Sequence, residues 1–223
     1  MSGGNEREPV TVDVVSDVVC PWCFVGKRRL EQAIKLSKTP LAIRWRPFQL
    51  DPTIPPEGKD RRAYMEAKFG SLEKIASIHE NITKLGAELG IPFAFDRIKV
   101  SPNTLDAHRL IRWAGDASVQ DQVVEALFRA YFTDGRDLGD AAVLAGIAAG
   151  AGMDRAQIAE RLASDDDRAE VRADIVASQR IGVTGVPTYI LANRYGLVGA
   201  QPAEELARAI RQVAAETADE AAA

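Results

Sequence analysis

The chain has 223 residues, 46% of them hydrophobic, enough to fill one generous core or two small ones, so that a folded chain and not a disordered one is the default reading. Its formal net charge of -4 supplies no basic field for phosphate backbones or anionic membrane surfaces, and so argues against nucleic-acid and membrane partners. The only two cysteines, Cys20 and Cys23, are separated by two residues, so they form a site and not a disulfide scaffold.

Met1 to Pro9 is polar and charged, without the apolar stretch of a secretory signal, and no apolar run is long enough to span a bilayer. The expectation is a cytoplasmic protein. Val10 to Val15 is β-branched and nearly all apolar, as suits a strand buried on both faces of a sheet. From Pro21, which fits a first helical position, the pattern is helical until Thr39-Pro40. Leu41 to Trp45 alternates as a second strand, and Pro47, Pro52, Pro55 and Pro56 disfavour helix or regular strand pairing up to about Glu57.

Residues 59–181 are rich in Ala, Leu, Glu, Arg and Asp at helical spacing, and predict a subdomain of five to seven helices. Leu72, Ile75, Ile78, Ile82 and Leu85 form its clearest apolar stripe. Beyond a helix ending near Arg180, Gly182-Val183-Thr184-Gly185-Val186-Pro187 leads into strands at Thr188 to Ala192 and Leu197 to Ala200, joined at Asn193 to Gly196. A last helix is predicted from Pro202 to Ala214, with a frayed tail beyond Glu216. Residues 1–58 and 182–223 thus form the two halves of one α/β unit, interrupted by the helical insertion at 59–181.

A cysteine between a strand and a helix start meets unpaired N–H groups and the positive end of the helix dipole, which favour thiolate. Cys20 stands there, while Cys23 lies one turn further in and is less favoured as a thiolate. Attack by Cys20 and resolution by Cys23 is the expected division of labour. The same spacing is half of a zinc site, but His79 and His108 are the only histidines and are far apart, so no metal is expected. Pro187, after a glycine-rich turn and before a strand, is a candidate for a cis X-Pro bond.

Together the stretch Val12 to Lys27 with Ser16-Asp17 and Cys20-Pro21-Trp22-Cys23, then Arg44-Trp45-Arg46-Pro47-Phe48, Asn103-Thr104, Ala107-His108-Arg109 and Gly182 to Thr188 resembles the DsbA-like thioredoxin superfamily. Within it the chain is similar to the FrnE-type branch, whose relatives are the 2-hydroxychromene-2-carboxylate isomerases and kappa-class glutathione transferases. The resemblance implies an α/β thioredoxin fold with a large helical insertion. It also implies that Pro187 is cis and packs against the cysteine pair, and that the Val186 backbone hydrogen-bonds an extended peptide or glutathione.

Those glutathione-dependent relatives place a serine where Cys20 stands, so two cysteines here favour a thiol-disulfide oxidoreductase, a reductase or isomerase in a reducing cytosol. No bound cofactor is expected, and glutathione is the natural thiol co-substrate. The partner is a disulfide-containing protein or a small thiol, and the chain itself a monomer or a homodimer. Two alternatives remain: a glutathione-dependent isomerase or transferase acting on a small aromatic compound, and a redox-sensing or chaperone-like peptide-binding protein.

Trp22 is read, with Pro21, as a substrate-contacting surface whose apolar side chain makes the centre less oxidising than a histidine would. Asp17 could accept the Cys23 proton or cap the strand end, the second being preferred. His108 could face the cleft or, as preferred, pack among helices, and His79 is read as surface or packing. Lys27, Arg28 and Arg29 are read as a solvated helix face, with Lys27 a candidate for attracting glutathione carboxylates. Trp45, Phe48, Phe93, Phe95 and Phe128 are assigned to the core.

Overall fold

The computed structural model describes residues 9–222. β1 (Val10–Ser16) leads through α1 (Pro21–Ser37) into β2 (Leu41–Pro47), and the two strands pair in parallel from Val10 opposite Leu41 to Ser16 opposite Pro47. α1 opens on Pro21 and ends on Lys38, whose left-handed backbone turns its N–H onto the Ile34 carbonyl.

Between β2 and the next strand of this sheet lie seven α-helices, at the upper end of the expected range. They are α2 (Arg61–Phe69), α3 (Leu72–Glu88), α4 (Leu105–Asp116), α5 (Gln120–Phe132), α6 (Ala141–Gly150), α7 (Arg155–Ala163) and α8 (Arg168–Arg180). Asp60, Ser71, Asp140 and Asp154 each accept a hydrogen bond from a first-turn N–H, which starts α2, α3, α6 and α7. A two-stranded ladder of β3 (Lys59–Asp60) and β4 (Val100–Ser101) clasps the start of α2. Two residues per strand carry no alternation, so the sequence reading missed it.

β5 (Thr188–Leu191) and β6 (Tyr195–Val198) complete the sheet in the order β2-β1-β5-β6, with β5 antiparallel to both neighbours. β6 begins two residues before the predicted Leu197. Ala192 and Asn193 both adopt positive φ, and Arg194 N–H bonds the Leu191 carbonyl, so the hairpin closes early. α9 (Ala203–Ala222) likewise runs past the predicted end at Ala214, and the chain beyond Glu216 is helical where fraying was expected. Alanine and acid make a poor core but a good helix.

One buried cluster runs from Val12 and Val14 through Cys23 and Phe24 to Phe128, Leu144 and Ile210, and so joins sheet, insertion and α9. Phe24 stacks on Phe128 at 5.0 Å between ring centres and meets Phe93 edge-on at 5.9 Å. Of the aromatic residues assigned to the core, Trp45, Phe48, Phe93 and Phe128 are buried and Phe95 only half-buried.

The basic run is a correction. Lys27 is 3% exposed, with Nζ 2.5 Å from Glu31 and 3.0 Å from Asp121, and the Arg28 guanidinium holds Glu125 through two hydrogen bonds. Both side chains tie α1 to α5, because α5 brings its carboxylates against the face that local charge suggested was wet. Lys27 is fully engaged there and is not available to glutathione. The architecture is α/β, a thioredoxin fold with a large helical insertion.

Candidate active site

Cys20 is the N-cap of α1, with extended backbone and no capping hydrogen bond from its side chain. No acid stands in the first turn, so this helix end lacks the acceptor that an N-cap side chain ordinarily supplies. The two thiols are unbridged, and the Cys20 thiol points to the Val186 carbonyl at 3.7 Å. The Val186–Pro187 bond is cis. Pro187 packs on the face of α1 that carries Gly26, where a Cβ would stand 2.8 Å from Pro187 Cγ and 2.5 Å from the Tyr189 hydroxyl. Only a glycine lets the proline loop approach the helix so closely.

Cys23 is fully buried, and this burial pushes its thiol pKa well up, reinforced by the adjacent Cys20 sulfur and partly offset by the Ser16 hydroxyl and the Asp17 backbone. The asymmetry is chemical as well as geometric. Cys20, at 5% exposure, lines a cavity, whereas Cys23 is fully buried behind it in the chain and is not part of that lining. Trp22 is 44% exposed and stands at that cavity with Pro21.

Asp17 does not cap its strand through its side chain. Its buried carboxylate reaches across to accept the Leu50 N–H at 2.8 Å, while Oδ1 makes no hydrogen bond. His108 is buried beside it, Nε2 2.8 Å from the Phe48 carbonyl and 3.4 Å from Asp17 Oδ1. The histidine read as helix packing is therefore packed, yet against Asp17 at the β1–α1 junction. It joins α4 to the segment after β2.

The cavity above Cys20 holds about 590 Å³ between the start of α1, the Val186 loop, α2 and α3. Arg61, Tyr64, His79 and Phe95 stand in its walls, and the sequence reading assigned none of them to the site. His79 stacks on Phe95 at 4.1 Å, and burial lowers its pKa, with the Arg61 charge adding to the effect. The signal available was the α3 stripe. Ile78 and Ile82 line the cavity and Leu72 stays 37% exposed, so the stripe is wider than what the helix buries.

Residues 11–211 match the DSBA-like thioredoxin domain family. Among solved structures, the chain is similar to a probable DsbA oxidoreductase from Streptomyces coelicolor, at 33% identity and a TM-score of 0.84, covering 92% of this chain and 89% of that one. It is 28% identical over 189 residues to the uncharacterized protein YwbO of Bacillus subtilis, covering 82% of this chain and 88% of that protein. The cytosolic disulfide reductase DsbM of Pseudomonas aeruginosa, solved with GSH, shares the fold at 18% identity and a TM-score of 0.62, covering 96% of this chain and all 100% of that one. With the strand-helix cysteine pair and the proline loop packed against α1, these matches identify the chain as a member of the DSBA-like thioredoxin domain family.

Proposed function

We propose that the protein is a thiol-disulfide oxidoreductase whose working pair is Cys20 and Cys23. The observation that carries this reading is the asymmetry of the pair, one sulfur at an open helix start facing a cavity and one buried with its pKa raised. Cys20 attacks a substrate disulfide and forms a mixed disulfide, with one thiolate leaving. Cys23 then loses its proton, attacks the Cys20 sulfur and releases the second thiol. Asp17 Oδ1, buried and without a hydrogen bond, supports a role as acceptor of that proton. Loss of the Cys20 proton frees the Val186 carbonyl to receive a donor from the substrate. Glutathione is the thiol that returns the pair to the dithiol.

The test uses hydroxyethyl disulfide, a small neutral oxidant, with mass spectrometry of the quenched protein. The wild type is expected to close the Cys20–Cys23 disulfide, losing two hydrogens, and Cys23→Ser to stop as a mixed disulfide on Cys20. Cys20→Ser should do neither at a comparable rate. If Cys20→Ser is oxidised as fast as the wild type, Cys20 is not the nucleophile and the reading fails.

A further inference from the structure

The cavity that Cys20 lines is apolar, with Val19, Ile54, Met65, Ile78, Ile82 and Phe95 in its walls, and its volume suits a small molecule. Two cations in its walls, Arg61 and Lys68, have no ion-pair partner among the described residues, and of these Arg61 is the one withdrawn from water. Arg61, at the first position of α2, is half-buried, donates only a long hydrogen bond of 3.4 Å to Ser101 Oγ and lies 6.0 Å above the Tyr131 ring. Among the described residues no carboxylate lies within ion-pair distance of its guanidinium. The nearby Asp51 is engaged elsewhere, accepting Thr53 N–H at 2.9 Å and the Thr53 hydroxyl at 2.6 Å. Asp17, on the floor, holds Leu50. Lys68 is exposed and its Nζ sits on the Tyr64 hydroxyl at 3.1 Å.

A guanidinium presents five donors in a planar fork that fits a carboxylate. Partly withdrawn from water in apolar surroundings, it favours an arriving anion more than an exposed lysine does. Resting on Cys20 as the nucleophile, we infer that the substrate is a low-molecular-weight disulfide with an aromatic body and a carboxylate, the body filling the cavity and the carboxylate docking on Arg61. Arg61 then sets specificity and takes no part in bond exchange. In the reaction the Cys20 thiolate forms a bond to one substrate sulfur, the substrate S–S bond breaks and the first arylthiolate leaves. Cys23 gives up its proton and attacks Cys20, and the second arylthiolate leaves. The protein is oxidised to the disulfide as the substrate is reduced by two electrons.

The experiment mixes the pre-reduced protein with bis(nitrobenzoate) disulfide or with the otherwise identical bis(nitrophenyl) disulfide, and follows arylthiolate absorbance in single turnover. The quantity read is the ratio of the two rate constants, carboxylated over neutral, so differences in general folding quality cancel. Arg61→Gln is expected to lower this ratio about ten-fold, the effect of losing one charge-assisted contact of modest strength. Arg62→Gln, an exposed neighbour carrying the same charge change, is expected to keep the wild-type ratio. An unchanged ratio in Arg61→Gln, or an equal fall in Arg62→Gln, overturns the inference while leaving the oxidoreductase reading intact. If the wild type reacts with neither disulfide faster than free cysteine, the nucleophile reading falls and this inference falls with it.

Discussion

At the scale of single residues, the division of labour proposed for Cys20 and Cys23 rests on a difference in their surroundings. Cys20 and Cys23 are the same chemical group, yet one occupies an unfilled helix cap and the other is buried beside Asp17 with its thiol pKa raised. In the proposed reaction a resolving thiol of raised pKa needs help to lose its proton, and Asp17, whose backbone bonds the Cys23 thiol, carries a buried Oδ1 without a hydrogen bond. Asp17→Asn preserves an acceptor for Leu50 N–H but removes the base. It should leave attack by Cys20 intact and slow release from a preformed mixed disulfide by about 100-fold, within the range of general-base catalysis. Rapid-quench kinetics across pH separates the steps, and wild-type release in the variant would limit Asp17 to holding the Leu50 segment. Sequence alone pointed to both cysteines and to Asp17, since each lies at the β1–α1 junction. The orphaned oxygen was invisible, because it depends on where Leu50 and His108 arrive.

At the scale of elements, α1 is the piece to which the rest is fastened, and much of that fastening is ionic. Lys27 and Arg28 face Asp121 and Glu125 of α5, and the Trp45 indole N–H also reaches Asp121 at 3.1 Å. Burial would raise the Glu125 pKa, but hydrogen bonds from Arg28 and Arg129, with the Arg28 and Lys27 charges, hold it down at about 2. Glu125 is therefore depressed in the folded state. Its contribution is present above the unfolded carboxyl pKa of about 4.3 and is lost as pH falls toward about 2. Thermal melts between these limits should show falling stability in the wild type and a shallower fall in Glu125→Gln. Equal slopes would show that the network does not couple to folding. On the other side of the insertion, the buried Arg109 guanidinium is hydrogen-bonded to the carbonyls of Arg161, Ser164 and Asp166, closing the end of α7 onto α4. Its place in a sequence motif therefore reflects structure as much as chemistry.

At the scale of the whole molecule, the helical insertion shares a core with the sheet, and this places α2 and α3 above Cys20. Phe24 directly follows Cys23 and stacks on Phe128 of α5, with Phe132 and Phe93 around it. Removing the Phe128 ring should cost about 3–5 kcal/mol, the usual range for a buried aromatic truncated to alanine. With a shared core that loss should lower the stability of sheet and insertion together, in a single denaturant transition seen by fluorescence and by protection of Cys23 from alkylation. Two separated transitions in Phe128→Ala would mean that the insertion folds independently.

What the amino-acid sequence determined by itself is whatever rests on near neighbours along the chain. The β1–α1–β2 order, the cysteine pair at a helix start, the helical character of residues 59–181 and the proline loop before β5 follow from apolar periodicity, proline and glycine placement and helix-end electrostatics. Tertiary structure decided what depends on residues far apart in the chain. Asp17 meets Leu50 across 33 positions, Lys27 meets Asp121 across 94 and Cys20 meets Val186 across 166. Short-range patterns predict that a face is apolar or charged, but not which element will cover it. For that reason Lys27 of the basic run of α1 proved buried and Arg28 half-buried, and the apolar stripe of α3 proved to be the wall of a cavity holding Arg61.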